Sequence, residues 1–362
     1  MLEIACVVVF LLSLWLLAIT IRSVVRTLVL PRSARDVITA GLFTGVRYLF
    51  ELRLRKAASY AERDAVMAYY APVTLLLLVP AWLTLVLFAF TGLFWATGIA
   101  SWHDAFALSG SALFTLGFKV DYTVPHMVFT YVEAAFGMMI IALLIGYLPT
   151  MYAAFSSREA AVNLLDVRAG TPPSVATMII RVFRIGKFDT LSAFWREWEI
   201  LFTQIAESHT TLPALVFFRS PHSSRSWVTA AGNVMDTAAF IRAAIAAPHD
   251  PQADLCIRAG FLALRQVADY FALEYKTDPH FPDDPISLDR SEFDAVYAEL
   301  SAEGVPLVID RDQAWRDFAG WRVNYDQVLI ALCSLTMAPY APWSSDRSPR
   351  QGLSSIAHRK RK

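Results

Sequence analysis

Between Ala65 and Trp102 the chain carries no Asp, Glu, Lys or Arg, and no other feature restricts its fold as strongly. A helix rising about 1.5 Å per residue needs ~20 apolar residues to cross the hydrocarbon of a bilayer. The centre of this run, Val73 to Ile99, meets that length with some tilt to spare, despite Pro72 and Pro80 near its start. Two further apolar runs flank it, Ile4 to Ile21 and Val124 to Phe155. The first follows Glu3 instead of a basic segment and ends at Arg22 and Arg26 without a small-residue cleavage site, so it reads as a membrane helix and not as a signal peptide. The expected class is an all-α membrane protein.

Composition agrees. Of 362 residues, 56% are hydrophobic and only 18% charged, which is too apolar for an ordinary soluble chain of this length. Balanced charge gives no reason to expect a nucleic-acid partner. Cys6, Cys256 and Cys333 lie far apart, with no C-x-x-C pair and no His cluster at metal-ligand spacing, and are read as buried free thiols. No enzyme is expected: G-x-S-x-G, the phosphate-cradling G-x-x-x-x-G-K loop and H-E-x-x-H are all missing, and His222 in Ser220-Pro-His-Ser-Ser-Arg reads as part of a polar surface loop.

Charge sets the expected topology. Arg22, Arg26, Arg32, Arg35, Arg47, Arg53, Arg55, Lys56 and Arg63 outnumber Asp36, Glu51, Glu62 and Asp64 in the segment after the first span, which the positive-inside rule makes cytoplasmic. The connection from Ala100 to Pro125 holds only Asp104, Lys119 and Asp121 and is placed outside. The N-terminus is then outside as well, and everything after Phe155 inside. Within the basic segment, Val37, Leu42, Phe43, Val46, Leu49, Phe50 and Leu54 recur at near-helical spacing, which fits either a helix on the membrane surface or one packed on a cytoplasmic domain.

The outer connection holds the chemistry. Asp104 to Phe114 has the length of a short helix, with Asp104 suited to cap it. Thr115-Leu116-Gly117-Phe118-Lys119 follows, and a non-helical backbone at membrane depth needs protein or a water-filled cavity around it. Aiming successive carbonyls to one side demands positive φ or alternating dihedrals, which Gly117 adopts at little cost, and the Thr115 hydroxyl can add one more oxygen.

In this order of helix, short helix, T-L-G-F string and glycine-bearing helix, residues Tyr70 to Arg158 resemble the two-transmembrane, one-pore-loop potassium-channel family, including bacterial members with a helical cytoplasmic domain. The resemblance implies a pore module with an extra N-terminal transmembrane helix and a selectivity filter at Thr115, Leu116, Gly117, Phe118 and Lys119. It further implies a homotetramer, since one chain supplies one pore loop, in a bacterial inner membrane, with K+ or another monovalent cation as permeant ion and no cofactor. In Val132-Glu133-Ala134-Ala135-Phe136-Gly137, Gly137 matches the family's hinge, while Gly146 and Pro149 offer further bends and place a gate near Leu148 to Tyr152. Glu133 is expected behind the filter, bonded to the short helix at Ser109 or Ser111.

Lys119 departs from the family, whose filter ends in glycine. Four ammonium groups at the outer mouth would repel cations, and a left-handed backbone at a non-glycine residue costs about 1 to 2 kcal/mol. The expected remedy is Asp121, two residues on. A different outcome is a membrane-anchored regulatory or scaffold protein that keeps a pore-like fold without conducting.

The rest reads as a helical cytoplasmic domain, with apolar spacing in Leu191, Phe194, Trp195, Trp198 and Leu201 and again from Val228 to Ile245. A capping box at Ser291 and Asp294 and a final helix from Asp312 to Met337 are expected. The expected organisation is thus residues 1–21 (first span), 22–68 (basic segment), 69–158 (pore module), 159–340 (helical domain) and 341–362 (disordered tail). Arg359, Lys360, Arg361 and Lys362 at its end suit anionic lipid.

Overall fold

The computed structural model describes residues 2–30, 36–54, 59–186 and 188–347. Among them the regular elements are helices, with one isolated antiparallel bridge between Ile245 and Leu307. Three helices are long and apolar enough to cross a membrane, in Glu3–Leu28, Tyr60–Ala96 and Val124–Ala169. Arg32, Arg35, Arg55, Lys56 and the basic cluster Arg359 to Lys362 lie outside the described residues.

The chain divides into two compact units, Met1–Arg55 with Ala68–Ala153, and Lys56–Met67 with Ala154–Lys362. The first contains α1 (Leu2–Leu28), α2 (Val37–Leu54), α4 (Tyr70–Ala96), α5 (Trp102–Leu113) and the first part of α6 (Val124–Ala169). Here α4 is the hub, packing against α1, α2 and α5. Gly92 lets α1 come close, because a β-carbon there would run into Ser13. A polar chain secures the other end of this seam: Trp82 Nε1 donates to Ser23 Oγ at 2.9 Å, and Ser23 donates to Asp36 Oδ2 at 2.5 Å. The same carboxylate accepts from Thr39 N at 2.9 Å and so caps α2. Tyr70 hydroxyl then donates to Phe43 O at 3.1 Å. Within this unit α2 packs on α1 and α4, with Val37, Tyr48 and Leu49 left exposed.

The second unit is a helical bundle of α3 (Tyr60–Ala68), the end of α6, α7 (Val175–Gly186), α8 (Leu191–Thr211), α9 (Trp227–Ala244), α10 (Pro251–Tyr270), α11 (Arg290–Ala302), α12 (Arg311–Arg322) and α13 (Asp326–Thr336). At its centre α9 is buried almost all round. Small residues make this possible: Gly232 abuts Leu329, and Gly260 of α10 abuts Met235 and Phe202. One buried charge sits in that helix. Asp236 faces the fully buried Arg322 at 2.5 Å, Tyr325 hydroxyl donates to it at 2.8 Å, and Arg322 Nε reaches Asp326 at 2.8 Å. Two carboxylates beside it raise the Arg322 pKa even against burial, so it stays charged.

This ion cluster explains one difference from the sequence reading. The expected helix Asp312 to Met337 is two helices, broken at Val323–Tyr325, because turning the chain there lets Arg322, Tyr325 and Asp326 converge on Asp236. The capping box of α11 is likewise formed by Asp289 and Glu292, with Asp289 N donating to Glu292 Oε2 at 2.9 Å. Asp294, expected in that role, instead receives Arg290 and Arg311. Packing also runs past residue 340: Ala341, Trp343 and Ser344 are buried, and Arg322 donates to Trp343 O.

Two segments next to apolar helices are tied into this unit at neighbouring residues. Arg158, on the far part of α6, is 2% exposed and donates to Leu215 O at 2.9 Å and Phe218 O at 2.8 Å. Arg219 pairs with Asp64 of α3 and donates to Thr336 O at 2.6 Å, while Tyr60 hydroxyl donates to Met337 O at 3.1 Å.

Candidate functional site

The short helix expected after Trp102 is α5. Its cap is Ser101, whose Oγ accepts from Asp104 N at 3.0 Å, so Asp104 stands in the first turn and not at the cap itself. The inward face of α5 buries Ala105, Leu108, Ser109, Ser111, Ala112 and Leu113. Its last carbonyls turn back on the loop: Thr115 N donates to Ala112 O at 3.0 Å and Leu116 N to Ser111 O at 2.9 Å.

From Thr115 onward the dihedrals alternate. Thr115 has φ +54° and Gly117 φ +71°, whereas Leu116 and Phe118 keep negative φ. Nothing lies within 4 Å of where a Gly117 β-carbon would be, so glycine is needed there for its backbone and not for space. Thr115 is the residue that bears left-handed strain at no glycine, and its hydroxyl donates to Phe114 O at 2.8 Å. Lys119 escapes the strain expected of it, since its φ is not positive. Phe114, Leu116 and Phe118 are exposed in the single chain.

Lys119 is fastened twice to its own short helix. Its backbone N donates to Ser111 Oγ at 3.1 Å, and its Nζ donates to Asp104 Oδ1 at 2.8 Å. Asp121, the partner expected for Lys119, is occupied elsewhere. It accepts from Thr123 N at 2.9 Å and from Thr123 Oγ1 at 2.5 Å, a local turn that a two-residue spacing favours over a reach back to Lys119. These bonds, with His126 adding less, hold the Asp121 pKa down to about 2. Asp104 is also lowered, first by the Lys119 hydrogen bond and then by that of Ser101.

Behind the loop, Glu133 is fully buried. Of its two expected partners the structure selects Ser109, whose Oγ lies 2.5 Å from Glu133 Oε1 and 3.0 Å from Leu87 O of α4. Ser111 serves Lys119 instead. Glu133 Oε2 has no hydrogen-bond partner among the described residues.

Gly137 sits where α6 crosses the end of α5. A β-carbon there would lie 2.6 Å from Leu113 O, so this glycine permits close approach, and the helix runs unbroken through it. Gly146 has open space around it, and Pro149 is inside the same helix. Sequence reasoning missed two contributors, Asp104 as the Lys119 partner and His126, which bonds Thr97 and Thr123. A histidine five residues after Asp121, at the start of an apolar helix, was the available signal for the second.

Among the described residues no group of three or more His, Cys, Asp or Glu is placed to hold a metal ion. No protein-family model, curated protein or solved structure matches the chain.

Proposed function

We propose that the chain is one subunit of a homotetrameric channel that passes monovalent cations through the loop Thr115 to Lys119, in the manner of the potassium-channel architecture its order of elements resembles. The observation that carries this reading is the alternation of positive and negative φ at Thr115 to Phe118 directly after a short helix. Alternating dihedrals turn successive carbonyls of a loop toward one side, the requirement of a filter that replaces an ion's water shell.

Charge supports the same reading. A free Lys119 ring would oppose cations, but each Lys119 is neutralised by Asp104 of its own α5. Phe114, Leu116 and Phe118, at 49, 63 and 67% exposed, are apolar side chains that fourfold neighbours would cover. The helical unit is the assembly or gating module in this account. It holds both the residues just before α4 and those at the end of α6, through Arg219 and Arg158. Gly146, Pro149 and the stretch Leu148 to Tyr152 remain the proposed gate, in a multi-pass inner-membrane protein with its N-terminus outside.

The test is ion flux from proteoliposomes loaded with K+. Purified full-length chain is expected to discharge the gradient, and Lys119→Gly to discharge it with tighter K+ over Na+ preference. If wild type and Lys119→Gly are both silent, the chain is a non-conducting membrane scaffold.

A further inference from the structure

His126 opens the third apolar helix, two residues into α6, and is 6% exposed. Both of its ring nitrogens meet oxygen. Nε2 lies 3.0 Å from Thr97 Oγ1, at the end of α4. Nδ1 lies 2.7 Å from Thr123 Oγ1 and 3.1 Å from Asp121 Oδ1, in the loop that follows Lys119. The Phe94 ring of α4 stands edge-on at 5.8 Å, and Asp121 is the charged group that faces the imidazole.

Each threonine hydroxyl has one hydrogen to give. That of Thr97 is directed to Leu93 O at 2.7 Å, since a carbonyl can only accept and two oxygens so close repel without a shared hydrogen. That of Thr123 is directed to the Asp121 carboxylate at 2.5 Å by the same reasoning. With both hydroxyls presenting lone pairs to the ring, the imidazolium form supplies a hydrogen at each nitrogen.

We infer that His126 is a proton-dependent clamp: doubly protonated, it ties the outer end of α4 to the Asp121–Thr123 turn beside the proposed filter, and on losing a proton to solvent it releases one of the two. Histidine is the side chain suited to such a change between pH 5 and 8. The clamp is a property of this chain whether or not it conducts. In a conducting tetramer it would make His126 a positioning residue for the outer mouth, sensitive to external pH.

The experiment is nuclear magnetic resonance of the full chain in nanodiscs with 15N-labelled histidine, the His126 signals being those lost in His126→Gln. At pH 6 two hydrogen-bonded ring N–H signals are expected, falling to one by pH 9. Over the same range, hydrogen-exchange protection of amides 121–127 should fall at least threefold more in wild type than in Thr97→Val, which has no Nε2 acceptor. Thr97→Val reads the clamp even if His126→Gln fails to fold. A single ring N–H at pH 6, or protection that changes equally in wild type and Thr97→Val, overturns the inference. Flux falling as external pH rises would extend it to the channel; pH-independent flux in a chain with the two N–H signals would confine it to structure.

Discussion

Lys119 Nζ is bound to Asp104 Oδ1 at 2.8 Å, so the one charge in the proposed filter loop is neutralised by the first turn of the helix that precedes the loop. Both side chains are 43% exposed, and a pair so open to water contributes little to stability. Its weight is electrostatic. One charge at about 8 Å in a water-like medium is worth about 0.5 kcal/mol, so four unpaired lysines would oppose a cation by about 2 kcal/mol before salt screening. Asp104→Asn is expected to lower cation flux by about tenfold with little change in melting temperature, and Asp104→Asn with Lys119→Gln to restore it. Flux and thermal melts on the same preparations check both.

The glycines of α6 should separate cleanly. Gly137→Ala places a β-carbon 2.6 Å from Leu113 O, a backbone atom with little freedom to yield, and should destabilise by roughly 1 to 3 kcal/mol. Gly146→Ala meets nothing within 4 Å and should gain the ordinary helix preference for alanine, about 0.8 to 1 kcal/mol. Melting in detergent ranks the two, and a neutral Gly137→Ala would mean that α6 and the end of α5 do not touch here.

Legibility followed the range of the interaction. The three apolar helices, the short helix after Trp102 and the loop after it were readable because backbone desolvation and helical periodicity are local demands, visible as runs and spacings. The partners were not. Asp121 is nearer Lys119 in sequence than Asp104, yet one turn of helix and a short loop return Lys119 to the start of α5, while Thr123 captures Asp121. Glu133 was expected to reach α5, but its choice of Ser109 over Ser111 depends on the rotation of that helix. The break in the last long helix was hidden for the same reason, being set by Asp236, far away in the chain.

His209 predicts how stability responds to acid. It is buried, its Nε2 faces Arg158 Nη1 at 3.1 Å, and a guanidinium can only donate, so this nitrogen is unprotonated. Burial first, and the Arg158 charge second, hold its pKa well below the usual histidine value. The unfolded chain then binds a proton near pH 6.5 that the folded chain refuses. Stability is complete above that pH and falls as pH drops below it, by up to about 1.4 kcal/mol per unit. Denaturation between pH 5 and 8 should show this slope in wild type and lose much of it in His209→Gln.

Arg219 and Asp64 are each 11% exposed, and breaking one side of so buried a pair costs about 3 to 5 kcal/mol. The loss should appear as local release of α3. Limited proteolysis of Asp64→Asn is expected to cut within residues 59–67 under conditions that leave the wild type intact.

Single-particle imaging of the full chain in nanodiscs tests most directly whether four loops build an axial pore. A fourfold particle is expected, with four copies of Gly117 around one axis and Lys119 of each copy turned toward its own Asp104. A monomeric or dimeric particle, or a fourfold one with Gly117 away from the axis, would contradict it.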